Sequence, residues 1–86
     1  MAMREIEPIE ARVHWDRRAG RPSRIRFGAR QVEVRALEAV RDETAAWPAS
    51  RGPRITYLLT TTGGQASLVF DGRRRRWYVA ALDVAA

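Results

Sequence analysis

The chain has no cysteine, no lysine and no asparagine, and its only histidine is His14. Without cysteine there is no disulfide framework, no thiolate nucleophile and no thiolate metal site, and one imidazole cannot supply a histidine-rich zinc site. Long apolar runs are missing as well. Nothing approaches the roughly 18–20 consecutive apolar residues of a membrane span, and Met1–Glu10 alternates charge where a signal peptide would be apolar. These gaps point to a cytoplasmic protein with no membrane partner, no metal and no cofactor. The missing lysine and asparagine share AT-rich codons, so the simplest cause is a GC-rich, bacterial genome. That origin weakens any argument from arginine as such but leaves the charge standing.

What remains is 86 residues, 45% hydrophobic and 30% charged, a globular composition sized for one small domain over 1–86, with 1–9 frayed. Sixteen arginines against ten acids give a net charge of +6. The surplus is uneven: residues 1–50 hold ten arginines and eight acids, residues 51–86 hold six and two. A concentrated positive field favours encounter with polyanions through phosphate contacts and counterion release.

Alternation of apolar and polar residues dominates, the mark of half-buried strands. Ala11, Val13 and Trp15 alternate with Arg12, His14 and Asp16, and the stretch ends at the Arg17–Pro22 loop. Ser23–Phe27 and Arg30–Ala36 flank Gly28-Ala29, suited to a type II′ hairpin turn. That turn pairs Ile25 with Val32, Arg24 with Glu33 and Phe27 with Arg30. Residues 37–47 carry both a rough helical spacing (Leu37, Val40, Thr44, Trp47) and a continuation of the preceding strand through Val40. The strand extension is the favoured of the two, and the chain breaks at Pro48–Pro53.

The last third reads as a three-stranded meander. A type I′ turn at Gly63-Gly64 would pair Tyr57 with Phe70, Leu59 with Leu68 and Thr61 with Ala66. A four-residue loop at Asp71–Arg74 would then set Trp77 opposite Leu68 and Val79 opposite Ala66. Together these elements predict an all-β fold. It is an antiparallel meander curled into a five- or six-stranded SH3-like barrel or twisted sheet, with at most one short helix near 37–47. Trp15, Phe27, Tyr57, Phe70 and Trp77 supply the large core side chains. Leu58, Val69, Tyr78 and Leu82 fall on the opposite face of the meander, as a second core layer or as an exposed patch.

Catalytic chemistry finds little support. Ser23, Ser50 and Ser67 have a single possible imidazole partner in His14, which alternation sends outward between Arg12 and Asp16. Asp42 and Glu43 are adjacent and diverge, and Glu5, Glu7 and Glu10 form a solvated edge. Thr60–Gly64 lacks the Gly-Lys-Ser/Thr tail of a phosphate loop and leads into a strand. The sharpest feature is Arg73, Arg74, Arg75 and Arg76, leading into Trp77 and Tyr78. Arginine forks beside aromatic faces are what nucleic-acid strands contact. With Arg54 they make a candidate surface for DNA, RNA or another polyanion. Arg12, His14, Arg24, Arg26 and Arg35 form a second outward stripe, partly neutralised by Asp16 and Glu33. The alternative is a non-catalytic interaction module, a homodimer or a protein partner's docking domain, using Leu58, Val69, Leu82 and Tyr78.

Arg24–Val40 followed by Trp47 and Ile55–Asp83 resembles a small bacterial β-domain family of unknown function, found chiefly in GC-rich lineages. The shared pattern is a basic-aromatic stretch, a glycine and a valine-rich strand, then a tryptophan-containing connector and a meander ending in Gly-basic-Trp-Tyr-Val. The resemblance implies a small β-fold with no catalytic residues. Some members accompany DNA-repair polymerases, which implies a nucleic-acid context.

Overall fold

A computed structural model describes residues 3–46 and 52–83. Trp47, Arg51 and most of the Pro48–Pro53 breaker therefore lie outside the described residues. The strands are β1 (Met3–Asp16), β2 (Arg21–Phe27), β3 (Arg30–Asp42), β4 (Arg54–Thr61), β5 (Gly64–Asp71) and β6 (Arg76–Asp83). Each pairs antiparallel with its neighbour in sequence, and β1 pairs with β6 to close a six-stranded barrel. Closure removes the sheet edges that would otherwise present unpaired backbone groups. Helical structure among the described residues is a single 3-10 turn at Thr44–Ala46, so no helix there is long and apolar enough to cross a membrane.

From Met3 onward the segment at 1–9 belongs to β1 and pairs with β6. Met3, Arg4 and Glu5 pair with Asp83, Leu82 and Ala81, and Ile9 resumes opposite Val79 after an irregularity. Pro8 sits within that irregularity, where its missing N–H costs no ladder hydrogen bond. Sequence reasoning missed this strand because its apolar residues, Met3, Ile6 and Ile9, are spaced by three.

The first hairpin follows its expected register: Arg24 opposite Glu33, Ile25 opposite Val32 and Phe27 opposite Arg30. Gly28 has φ 56°, the positive value that the first position of a type II′ turn requires. The second hairpin departs from expectation. Thr61 pairs with Gly64, so Thr62-Gly63 turn the chain and the register moves by two: Tyr57 faces Leu68, Leu59 faces Ala66 and Ile55 faces Phe70. A type I′ turn would need positive φ at both glycines, and only Gly64 has it, at 102°. The Thr61 hydroxyl fixes the turn, accepting from the Gly63 N–H at 3.0 Å and donating to the Gly64 carbonyl at 2.7 Å. The next loop has its expected four residues but starts one later, at Gly72–Arg75, so Trp77 faces Phe70 and Val79 faces Leu68. Both shifts preserve parity, and Tyr57, Leu59, Leu68, Phe70, Trp77 and Val79 keep their expected face.

Bulges decide the remaining faces. In β3 the register slips between Val34 and Ala36 and again between Leu37 and Ala39. An extra residue opposing one partner shifts the inward period from two to three, so Val34, Leu37 and Val40 all share the face of Thr61, Leu59 and Tyr57. The three-residue step from Leu37 to Val40 comes from the second of these bulges, and β3 runs through to Asp42. In β6 a slip opposite Ser67 and Leu68 skips Ala80. Leu82 is thereby turned to the inner face opposite Ala66, where it packs on the core, correcting its expected place on the outside. The core itself is Ala11, Ile25, Phe27, Val32, Val34, Leu59, Leu68 and Val79.

Candidate nucleic-acid interface

Antiparallel pairing sends three connections to one end of the barrel: the β1–β2 turn, the β3–β4 connection and the β5–β6 loop. Nine arginines lie in or beside them: Arg17, Arg18, Arg21, Arg41, Arg54, Arg73, Arg74, Arg75 and Arg76. The acids at this end, Asp16, Asp42, Glu43 and Asp71, hold the turns. Asp16 Oδ1 accepts from the N–H groups of Arg18 and Ala19 at 2.9 and 3.2 Å. Asp71 Oδ1 accepts from those of Arg73 and Arg74 at 3.1 and 3.2 Å. Asp42 Oδ1 accepts from the Thr44 N–H at 3.0 Å, and hydrogen bonds from the Thr44 side chain and backbone hold its carboxyl below the ordinary range. Glu43 Oε1 accepts a hydrogen bond from the Thr56 hydroxyl.

The β5–β6 loop is anchored from below. The Gly72 N–H donates to the Pro53 carbonyl at 2.7 Å. A Cβ at position 72 would meet Pro53 ring atoms at 2.9–3.0 Å, so only glycine allows this approach without displacing the ring. Beside the loop, on the outer face of β4–β6, lies a cleft of about 590 Å³ lined in part by Arg54, Arg73, Arg74 and Tyr78, with Val69 and Asp71. Four of the predicted polyanion-binding residues are thus brought together. Arg75 stands exposed on the loop outside the cleft lining. Arg76 is drawn aside to Glu10 across the β1–β6 seam, and the hydrogen bond and charge of Glu10 raise the Arg76 pKa.

Arg75 has φ 54°, the only positive value at a non-glycine among the described residues. The left-handed region costs an L-residue roughly 1–2 kcal/mol, and glycine would occupy it without that cost. Arg75→Gly is expected to raise the unfolding free energy by about 0.5–1 kcal/mol, the relief being partly offset by glycine's larger unfolded-state entropy. Urea titration checks this, and a loss of stability would contradict it.

The predicted interface residues scatter. Val69 is on the outer face yet only 3% exposed, Leu58 is half-buried and Leu82 turns inward. The second basic stripe keeps its place: Arg12 lies opposite Arg26 and His14 opposite Arg24, all four exposed. Arg24 Nε reaches Glu33 Oε1 at 3.1 Å. A smaller depression of about 230 Å³ adjoins Arg12 and Arg26.

Four aromatics expected in the core form a cluster at the arginine-rich end. Trp15 on β1 lies 6.0 Å from Tyr57 and 6.2 Å from Trp77, with Tyr57 and Trp77 5.5 Å apart and Phe70 4.8 Å from Trp77. β1 and β4 are three strands apart around the ring, so the Trp15–Tyr57 contact crosses the mouth of the barrel. Phe27, by contrast, is buried at the far end beneath Arg30, whose guanidinium lies 5.4 Å from the ring centre. The cluster is not fully enclosed: Trp15 is 38% exposed, and Val40, paired with Tyr57, is 51% exposed. Alternation identified the inward face but carries no information on how far a barrel's mouth is covered.

Partial burial raises the Tyr57 phenol above its ordinary value of 10.0 by desolvating the phenolate. Its contribution to stability is present below the unfolded pKa near 10 and is lost as pH rises through the folded value. Spectrophotometric titration should find a tyrosine ionising above 10 that Tyr57→Phe removes. An unchanged titration curve in that variant would contradict the assignment.

No family model, curated protein or solved structure matches the chain.

Proposed function

We infer that the protein binds nucleic acid as a non-catalytic module, gripping phosphates with the arginine-rich end of its barrel. One observation carries this: nine arginines converge on one end, where the acids are engaged in holding turns. A uniformly charged soluble surface would spread its cations instead. Guanidinium forks match phosphate oxygens two at a time, and the cleft beside Arg54, Arg73 and Arg74 is a concave surface for a chain of phosphates. The strained Arg75 fits the same role, since backbone strain persists where a side chain must be presented.

Fluorescence anisotropy with labelled single-stranded DNA, duplex DNA and RNA at about 50 and 200 mM salt tests the proposal, that being the range over which phosphate-driven binding changes most. Binding in the micromolar range or tighter, weakening steeply with salt, is expected. No binding at low salt would overturn it.

A further inference from the structure

We propose that the aromatic mouth of the barrel is a stacking subsite for unpaired nucleobases, making single-stranded nucleic acid the ligand class of this protein. The proposal rests on the phosphate-binding reading above and adds to it a second, chemically different contact. Trp15 presents more than a third of its surface to solvent and is backed by Tyr57 and Trp77 at 6.0 and 6.2 Å. Those two rings pack on the buried core. The platform is therefore held in place from beneath and around, the condition for a stacking surface that need not be ordered when the ligand arrives.

The surroundings of the rings select the occupant. An aromatic cluster open to solvent takes cations over its faces, apolar or proline-rich peptides, or nucleobases. Arg17 and Arg18 follow Trp15 and Asp16 in the β1–β2 turn, and Arg74 and Arg75 lie in the β5–β6 loop, flanked by Phe70 and Trp77 on the two strands. That rim repels a cationic ligand, and its positive charge finds no complement in a neutral peptide. It is matched to a ligand whose flat apolar groups hang from an anionic backbone. Register places the β5–β6 loop beside the rings: Asp71 and Arg76 pair at its base, and Phe70 and Trp77 pair next to them on the inner face. A strand whose phosphates cross the β5–β6 loop brings its bases to the mouth. In a duplex the base faces are already stacked on one another, so only unpaired bases can use this surface.

The test compares a 12-nucleotide oligothymidylate, an abasic oligomer of equal length and a 12-base-pair duplex by anisotropy, with intrinsic tryptophan fluorescence as a second readout. At about 50 mM salt the oligothymidylate should bind at least roughly tenfold tighter than the abasic chain, as expected for base–aromatic stacking, and should quench tryptophan emission. Trp15→Ala should lower oligothymidylate affinity by about tenfold or more while leaving abasic affinity and the salt slope unchanged. Trp15→Leu, which keeps most of the apolar contact but cannot stack, should behave the same and covers the case in which the alanine variant fails to fold. Equal affinity for oligothymidylate and abasic chain, or unchanged oligothymidylate binding in Trp15→Leu, overturns the stacking subsite and leaves phosphate binding intact. No binding of any of the three overturns the parent reading and this one with it.

Discussion

Leu68→Ala is expected to lower the unfolding free energy by about 3–4 kcal/mol, in the upper range for a buried leucine. Leu68 has no exposed surface, lies opposite Val79 and belongs to a core whose other fully buried side chains include Ile25 and Leu59. The size of the loss follows from the closed barrel. Each strand is hydrogen-bonded on both sides, so the wall cannot move inward to fill the space left by the lost methyl groups, and the cavity persists. A chain of 86 residues has on the order of 4–13 kcal/mol of stability in total, so this single change removes a large share. Guanidinium unfolding followed by tryptophan fluorescence and far-UV dichroism gives the value. A loss under about 1 kcal/mol would show that the barrel does contract, against what a fixed wall requires.

The double reversal Arg74→Glu with Arg75→Glu is expected to weaken single-stranded DNA binding by about a hundredfold at 50 mM salt, and to flatten the salt slope by about 1.4 for two lost phosphate contacts. Both side chains are exposed and make no side-chain hydrogen bond or ion pair among the described residues. Their reversal therefore changes the field at this end without breaking an internal contact. Arg12→Glu with Arg26→Glu makes the same charge change on the β1–β2 face and serves as the control. A loss of less than about threefold there localises binding to the arginine-rich end, since phosphate contacts act over roughly a Debye length. Equal losses in the two variants would mean that net charge alone attracts the polymer, and the localised interface would be discarded.

The parity of nearly every strand was legible from the order of residues, because alternation is a property of the pleat and needs no knowledge of the partner. Tyr57, Leu59, Leu68, Phe70, Trp77 and Val79 share one face whichever glycine pair turns the chain, since the register error at Thr62-Gly63 was two residues and two is the period. The turn itself was misplaced because adjacent glycines can serve a hairpin in more than one way. The Thr61 hydroxyl, bridging Gly63 and Gly64, selects between them. Arg73–Arg76 stood out as a charge run, but Arg17, Arg18, Arg21 and Arg41 are distant in sequence and join it only because alternate connections of a meander share an end.

Bulges hid the remainder. Val34, Leu37 and Val40 recur every three residues, as do Val79 and Leu82, and both sets resemble a helical period or a change of face. A bulge exists only relative to a partner strand, so one strand's sequence does not reveal it. The same holds for the β1–β6 seam, which closes the barrel through an irregular stretch spanning Glu5–Ile9. By itself, then, the sequence determined an all-β chain, the first hairpin's register, the faces of the strands without bulges and the positive charge, all consequences of local backbone geometry and composition. Only the tertiary structure decided that the sheet closes, that Leu82 turns in while Trp15 stays partly out, and that nine arginines lie at the same end as the aromatic cluster. Those outcomes depend on which strands meet, and a long-range pairing is set by the cooperative fit of all six strands.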